Sequence, residues 1–266
     1  MDPTRHALVG YTGFVGGNLR LQHDFGALYN SKNIVEIAGR DFDLLVFAGA
    51  QAKKWWANAN PEEDWAGIES ALGPLREMTA KRVVLISTVD VLPPEAAGGD
   101  EDFDPRGFDN HPYGRHRLAL EGALRAQFDK LCIVRLPGLF GRGLKKNVIF
   151  DLLTDNQVEK INPESSFQYY DLAGLWTEIE QAEAAGLELV HFFTEPVATR
   201  DILERFFPEA AKGGKVGADA APTAHYDFRT KHGALFGGPD GYMASREEML
   251  ARMARFIEGW RSGDLR

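Results

Sequence analysis

The sequence predicts an α/β protein with a doubly wound parallel sheet, and two features of its hydrophobic pattern support this fold class. Short apolar runs recur along the chain without polar alternation, which is typical of strands that are buried on both faces. Between these runs lie segments long enough to form crossover helices. We therefore expect one parallel sheet with helices on both of its faces.

Five apolar runs are predicted as strands, and two of the intervening segments are predicted as crossover helices. The strands are expected within 6–10, 43–50, 82–88, 131–136 and 187–193, and the helices within 64–79 and 113–128. Near the end of the chain, Ser245 and Glu248 form a Ser-x-x-Glu capping box. Apolar residues then recur at helical spacing from Met249 to Trp260, which predicts a helix docked on the core.

Composition excludes several classes of protein. The 266 residues include 30 Lys and Arg against 39 Asp and Glu, a formal net charge of −9, which disfavours general nucleic-acid binding because phosphate backbones attract basic surfaces. The apolar runs are far shorter than the roughly 20 residues that span a bilayer, and we expect a cytoplasmic protein without a membrane partner. Cys132 is the single cysteine, and the histidines lack metal-ligand spacing, so no metal site is expected.

Three glycines with the spacing Gly-x-x-Gly-x-x-Gly follow the first predicted strand. In a dinucleotide site, the first glycine allows a tight turn, the second lets the backbone approach the pyrophosphate, and the third lets helix and sheet pack closely. The alternative is a glycine-rich turn that binds no ligand. The predicted cofactor contacts in this loop are Gly10, Thr12, Gly13, Phe14, Val15 and Gly16.

The turn after the second predicted strand bears on the choice between NAD and NADP. An acidic residue here would bind the ribose 2′-hydroxyl of NAD, but the chain has Asn30, Ser31 and Lys32 instead. A hydroxyl and a cation suit a 2′-phosphate, so the sequence slightly favours NADP over NAD. The alternative is that Lys32 is an ordinary solvated side chain.

Together with the glycine loop, a succession of motifs resembles the extended short-chain dehydrogenase/reductases, the NAD(P)-dependent epimerase/dehydratase group that works largely on nucleotide sugars. The motifs lie at 86–91, 111–117, 134–141, 167–172 and 191–197, in the order found in the family. The resemblance implies a Rossmann-type domain over 1–140. It also implies a smaller substrate part over 141–266, intertwined with the last strands and helices of that domain.

The resemblance also implies a set of catalytic residues. The family uses a Ser or Thr, a Tyr, and a Lys four residues after the Tyr, and these positions fall on Thr88, Tyr113 and Arg117. The phenol of Tyr has a pKa near 10, and a cation one helical turn away favours the phenolate. Arg in place of Lys could preserve this activation, slow it, or mark a member that has lost hydride chemistry.

Asp90 is a further candidate acid or base. Dehydratases of the family have two acidic residues directly after the Thr, whereas this chain has Val89 and Asp90. Half of the pair is therefore present, which weakens the case for dehydration. The alternative is a solvent-facing carboxylate at the end of a strand.

Other expected contacts come from loops that lie near cofactor or substrate in the family. Cofactor contacts are expected from Ala48, Gly49, Ala50 and Pro137, and substrate contacts from Gln51, Arg142, Lys145, Lys146 and Asn147. Cations beside glycines could bind a diphosphate. The alternative is a solvated basic loop.

We therefore expect an NAD(P)-dependent oxidoreductase or epimerase acting on a sugar, in particular a nucleotide sugar, with the Tyr as acid and base. Two alternatives stay open at this point. One is a dinucleotide-binding protein without turnover, such as a sensor or assembly partner, and the other is a dehydratase with tightly bound NAD. A homodimer is also considered, because family members dimerise through helices that include the one bearing the Tyr.

Overall fold

A computed structural model describes residues 2–265, and these residues form two compact units. The first unit comprises the described residues up to Ala96, together with Glu101–Leu136 and Gly174–His191. The second comprises Ala97–Asp100, Pro137–Ala173 and the described residues from Phe192 onward. The domain boundary expected between residues 140 and 141 stays a prediction.

The predicted strands and helices are present, with the following bounds. The strands are β1 (His6–Val9), β2 (Ala27–Tyr29), β3 (Asp41–Phe42), β4 (Leu44–Phe47), β5 (Thr79–Ala80), β6 (Val83–Thr88), β7 (Leu131–Leu136), β8 (Gly138–Phe140), β9 (Ser166–Phe167), β10 (Tyr169–Asp171), β11 (Leu189–His191) and β12 (Val197–Ala198). The helices are α1 (Phe14–Leu19), α2 (Lys54–Ala59), α3 (Pro61–Leu75), α4 (Pro112–Gln127), α5 (Val148–Thr154), α6 (Leu175–Ala184), α7 (Thr199–Phe206), α8 (Pro208–Lys212) and α9 (Arg246–Ser262).

The central sheet of the first unit confirms the doubly wound α/β fold. Its strand order is β11-β7-β6-β4-β1-β2, and every neighbouring pair is parallel. Because β2 lies on one side of β1 and the later strands lie on the other, the order reverses between β1 and β4. Doubly wound sheets bind ligands in the crevice at such a switch point, beyond the carboxyl ends of the strands.

One face of this sheet packs against α3 and α4. The register places Ala7, Leu45, Val83 and Leu131 side by side, and the next inward residue of each strand continues the same apolar face. Apolar side chains of α3 and α4 complete this cluster, among them Ile68, Leu72, Leu75, Leu120, Leu124 and Phe128. The continuous apolar runs of the sequence are thus explained by burial of both faces of each strand.

A buried charged network fixes α4 against β6 and β7. Glu121 accepts hydrogen bonds from Ser87 Oγ at 2.6 Å and from Arg135 Nη2 at 2.7 Å. Arg135 Nη1 also lies 3.2 Å from Nε2 of the buried His191 on β11. Charges taken out of water need well-formed partners, so this network restricts α4 to one position on the sheet.

The second unit contains two short strand pairs and the C-terminal helix. Strand β8 pairs with β10 in parallel, and β9 pairs with β12 antiparallel. Helix α9 packs against β10 and α7, and Ser245 Oγ accepts a hydrogen bond from Glu248 N as the capping box predicts. No helix within residues 2–265 is both long and apolar enough to cross a bilayer.

Replacing Glu121 tests the role of the buried network. The Glu121→Ala variant leaves Arg135 buried without its counter-charge, so we expect the free energy of unfolding to fall by about 3–5 kcal/mol. Chemical denaturation measures this change. The control is Glu69→Ala on the exposed face of α3, which should change the free energy of unfolding by less than about 0.5 kcal/mol. Equal free energies of unfolding for the two variants would contradict the stabilising role of this buried network.

Candidate active site

Two glycines of the loop after β1 allow close packing at the switch point of the sheet. Gly10 has a φ of 90°, and a Cβ built there would lie 2.3 Å from the carbonyl oxygen of Ala48. A Cβ on Gly16 would lie 2.2 Å from the carbonyl oxygen of Gly10. Both positions therefore exclude any side chain, in agreement with the roles expected for the first and third glycines.

Gly13 occupies a more open position, as the binding of a pyrophosphate requires. It is exposed and begins α1 without a side-chain cap from the described residues. A Cβ built there would meet only the carbonyl oxygen of Gly10, at 3.2 Å. Thr12 beside it is also exposed, and Phe14 and Val15 form the first turn of α1. The loop thus offers uncovered backbone at the place where a dinucleotide pyrophosphate lies in this fold.

The turn after β2 has a defined shape that exposes a hydroxyl and a cation. Asn30 Oδ1 accepts a hydrogen bond from Lys32 N at 2.9 Å. Asn33 closes the turn, because its Oδ1 accepts from Asn30 N at 2.8 Å and its Nδ2 donates to Leu28 O at 3.0 Å. Ser31 and Lys32 are exposed at the tip. The turn therefore contains no acidic side chain of the kind that binds a ribose 2′-hydroxyl, and it presents a hydroxyl and a cation to solvent.

The loop after β4 lies against the glycine loop. Ala48 N donates to Val9 O at 2.9 Å, and a Cβ on Gly49 would lie 2.9 Å from the Val9 side chain. Ala50 is half-buried, whereas Gln51 is exposed and its carbonyl oxygen accepts a hydrogen bond from Arg117. The predicted cofactor loops of the first unit are therefore adjacent.

The structure brings Thr88 and Tyr113 together. Thr88 ends β6, Tyr113 lies in the first turn of α4, and the nearby side chain of Thr88 lowers the pKa of Tyr113. His111 caps α4 by accepting from Gly114 N at 3.0 Å. A Cβ on Gly114 would lie 2.2 Å from the carbonyl oxygen of Asp90, so the absence of a side chain lets α4 approach the end of β6.

Arg117 lies on the face of the Tyr113 ring instead of pointing to solvent. Its guanidinium carbon is 3.9 Å from the ring centroid, and the side chain is 3% exposed. Both terminal nitrogens donate to the carboxylate of Asp64, and Nη2 also donates to the carbonyl oxygen of Gln51. The guanidinium therefore lies beside the phenol as a cation. Its terminal nitrogens are already engaged in hydrogen bonds to Asp64 and to the carbonyl oxygen of Gln51.

The pKa of Tyr113 lies above its ordinary value of 10. Burial is the main cause, because the phenolate would lose its contact with water. The charge of Arg117 and the neighbouring Thr88 side chain lower this pKa, while Asp90 and Asp64 raise it. Tyr113 is therefore a protonated phenol at neutral pH.

Asp90 belongs to a second charged pair beside Thr88. Its Oδ1 lies 2.5 Å from Lys54 Nζ and 3.7 Å from His111 Nε2, and its backbone N donates to Thr88 Oγ1 at 3.2 Å. Burial opposes ionisation of Asp90, but the nearby His111 and the ion pair with Lys54 hold the pKa of the carboxyl below its ordinary value. Asp90 is therefore a carboxylate at neutral pH.

Three charged or titratable residues near Tyr113 were not among the predicted site residues, namely Lys54, Asp64 and His111. Lys54 meets Asp90 from 36 residues away, and Asp64 meets Arg117 from 53 residues away. Spacing along the chain contains no signal for such pairs. His111 was visible as part of the motif before the Tyr, and its position before Pro112 is that of a helix cap.

The remaining predicted contacts lie in the second unit. Pro137 is buried directly after β7, while Arg142, Lys145 and Lys146 are exposed in the loop before α5. Asn147 caps α5, since its Oδ1 accepts from Phe150 N at 3.1 Å and its Nδ2 donates to a backbone oxygen of β8 at 2.8 Å. The side chain of Asn147 is therefore engaged within this unit.

The chain belongs to the NAD dependent epimerase/dehydratase family, whose sequence model matches residues 21–172. The match begins after the glycine loop, which makes that loop an independent observation. The family match confirms the predicted resemblance to the extended short-chain dehydrogenase/reductases. It also confirms the predicted class of protein, an NAD(P)-dependent enzyme. No curated protein matches the chain in sequence.

Solved structures of sugar-modifying enzymes share the fold over nearly the whole chain at low sequence identity. A dTDP-4-dehydrorhamnose reductase from Bacillus anthracis in complex with NADP has a TM-score of 0.68 at 18% identity, covering 95% of this chain and 98% of its own. A dTDP-glucose 4,6-dehydratase double mutant from Streptomyces venezuelae with NAD bound gives 0.69 at 14%, covering 97% of each chain. The epimerase Mth375 from Methanothermobacter thermautotrophicus gives 0.69 at 14%, covering 98% of this chain and 96% of its own.

A substitution at Gly13 tests the cofactor loop. Because a Cβ at Gly13 meets only one backbone oxygen but projects from the open face of the loop, we expect Gly13→Ala to fold and to bind NADPH at least about tenfold more weakly. Fluorescence titration of NADPH measures the dissociation constant. Gly17→Ala is the matched control, since a Cβ there has no neighbour within 4 Å. Equal affinities of the two variants would contradict pyrophosphate binding at this loop.

Proposed function

We propose that the protein is an NAD(P)-dependent oxidoreductase or epimerase that acts on a nucleotide sugar, with Tyr113 as the acid and base. The main support is the placement of two hydroxyl side chains, Thr88 at the end of β6 and Tyr113 in the first turn of α4, close enough for Thr88 to lower the pKa of Tyr113. Strand β6 ends at the same edge of the parallel sheet as β1, whose glycine loop fits a dinucleotide. Proton transfer and cofactor binding are thus proposed for one edge of one sheet.

In this proposal the two hydroxyls hold one oxygen of the sugar. Thr88 orients that oxygen by a hydrogen bond, and Tyr113 gives it a proton or removes one. A bound nicotinamide supplies or accepts the hydride at the sugar carbon. Because Tyr113 is almost fully buried, the exchanged proton is kept from bulk water during the reaction.

Arg117 acts electrostatically in this proposal and does not bind the cofactor ribose. A lysine at this position would present a flexible ammonium, whereas the fork of Arg117 already binds Asp64 and the Gln51 carbonyl. Its guanidinium lies over the ring of Tyr113, where it packs against the face of the phenol that carries the exchanged proton. The departure from the family pattern therefore changes the role of the cation without removing it.

The substrate class is supported by the kinds of enzyme that share the fold. The named reductase and dehydratase act on dTDP-linked sugars. We propose that Arg142, Lys145 and Lys146 bind the diphosphate of such a substrate, because their exposed charges suit an anion on an otherwise acidic protein. Gln51 is a proposed sugar contact, and Asn147 would contribute through its backbone because its side chain caps α5.

Replacing Tyr113 tests the proposed chemistry. We expect Tyr113→Phe to lower kcat by at least about 10²-fold, because the phenyl ring can neither give nor remove a proton. The assay follows oxidation of NADPH or NADH with a panel of dTDP- and UDP-linked 4-keto sugars. The dissociation constant for NADPH should stay unchanged, which separates chemistry from binding. Equal turnover by the two proteins would refute the role of Tyr113.

Cofactor preference is tested at the turn after β2. If Lys32 binds the 2′-phosphate, Lys32→Ala should weaken NADPH binding about tenfold, since a hydrogen bond to a charged group contributes about 1.5–3 kcal/mol. Binding of NADH, which lacks that phosphate, should not change. Lys53→Ala is the control, because Lys53 is an equally exposed lysine just before α2. A parallel loss of NADH affinity would contradict the proposed preference for NADP.

A further inference from the structure

Asp64 is a buried carboxylate on a helix face that is otherwise apolar. The other buried residues of α3 are Ile68, Leu72 and Leu75, which belong to the core. A carboxylate at such a position loses its hydration and needs partners that compensate. Arg117 and Nδ1 of His116 are these partners, and the hydrogen bond to His116 is 2.8 Å long.

The geometry of this pair fixes the plane of the Arg117 guanidinium. Two parallel hydrogen bonds to one carboxylate allow a single orientation of the fork. In that orientation the guanidinium lies over the Tyr113 ring, and its Nε is buried without a partner among the described residues. The Arg117 side chain therefore does not satisfy all of its N–H donors in this position. Its position is instead explained by the hydrogen bonds to Asp64 and by the contact with the Tyr113 ring.

The charged groups around Tyr113 balance one another. Helix α4 contributes Arg117 and His116, α3 contributes Asp64, the turn after β6 contributes Asp90, and α2 contributes Lys54. His111 lies next to Asp90. The ion pairs are Arg117 with Asp64 and Lys54 with Asp90. In these two ion pairs each cation beside the phenol is matched by a carboxylate, which reduces the positive charge that would favour the ionised form.

We propose that Asp64 is a positioning residue of this active site, which holds Arg117 flat on the Tyr113 ring and balances its charge, so that Tyr113 enters the reaction as a proton donor to a sugar carbonyl. This inference rests on the proposed function and specifies its direction, the reduction of a keto sugar. The Tyr113 O–H bond breaks and an O–H bond forms on the sugar oxygen. A reduced nicotinamide dinucleotide supplies the electron pair and hydrogen to the carbonyl carbon and is oxidised, and water returns a proton to Tyr113.

The test uses the protein without ligands and follows the tyrosine ring carbons by NMR. Protein labelled with ¹³C at the tyrosine Cζ is titrated with base, and Tyr113→Phe assigns the signal. In Asp64→Asn the negative charge is lost while Arg117 keeps its own, so the pKa of Tyr113 should fall by about one unit. Asp64→Asn/Arg117→Met lacks both charges and should titrate close to the wild-type protein.

A second signal is read at neutral pH. The protons of the Arg117 side chain lie over an aromatic ring in the wild-type protein and should be shifted upfield by the ring current. We expect this shift to decrease in Asp64→Asn, because the guanidinium loses the carboxylate that orients it. Glu62→Gln is the matched control, since Glu62 is an exposed acid in the first turn of the same helix, and it should change neither signal.

The outcomes distinguish this inference from the proposed function. A folded Asp64→Asn protein with unchanged Tyr113 titration and unchanged Arg117 shifts would overturn the role of Asp64. If Asp64→Asn does not fold, the test uses the other two variants. Arg117→Met should raise the pKa of Tyr113, and Asp64→Asn/Arg117→Met should lower it again. Failure to observe either change overturns the positioning role of Asp64. A protein that passes these tests but neither reduces a keto sugar nor epimerises a nucleotide sugar would refute the proposed function while retaining the positioning role of Asp64.

Discussion

Helix α4 buries two charged side chains, and the need to compensate both charges determines the geometry of the site. Arg117 is held by Asp64 of α3, and Glu121 is held by Ser87 of β6 and Arg135 of β7. Because Tyr113, Arg117 and Glu121 follow one another at four-residue spacing, they share one face of α4. Because Arg117 and Glu121 are both paired with buried partners, α4 is restricted in rotation and in translation along its axis. Tyr113 is thereby kept beside Thr88. Removing either partner would leave an uncompensated buried charge.

The same pairing sets the protonation state of the site. In the family pattern a free ammonium stands one turn after the tyrosine and favours the phenolate. Here the corresponding cation is paired with Asp64, the carboxylate of Asp90 is paired with Lys54, and burial keeps the pKa of Tyr113 above 10. In this chain the arginine at that position is paired with a buried acid and stacked on the tyrosine ring. Such a site is suited to giving a proton to a substrate oxygen.

Much of the fold and part of the site could be predicted from the sequence. The strands were visible because a parallel sheet needs continuous apolar runs, and the glycine loop was visible because close packing at Gly10 and Gly16 excludes side chains. Thr88 and Tyr113 were found through their order along the chain. The partners Asp64 and Lys54 could not be found, because ion pairs between distant segments leave no periodic pattern. The sequence also could not distinguish a cation that faces a ligand from one that covers a tyrosine ring.

In the proposed reaction, Tyr113 protonates a sugar oxygen while the carbonyl carbon bonded to it is reduced. Mass spectrometry of the sugar product tests it most directly, with reduced nicotinamide deuterated at the transferable position and a panel of nucleotide-linked keto sugars. We expect one deuterium in the alcohol made by the wild-type protein, and a loss of that product when Tyr113 is replaced by Phe. A product that contains no deuterium, or deuterium transfer at an undiminished rate in Tyr113→Phe, would contradict the account.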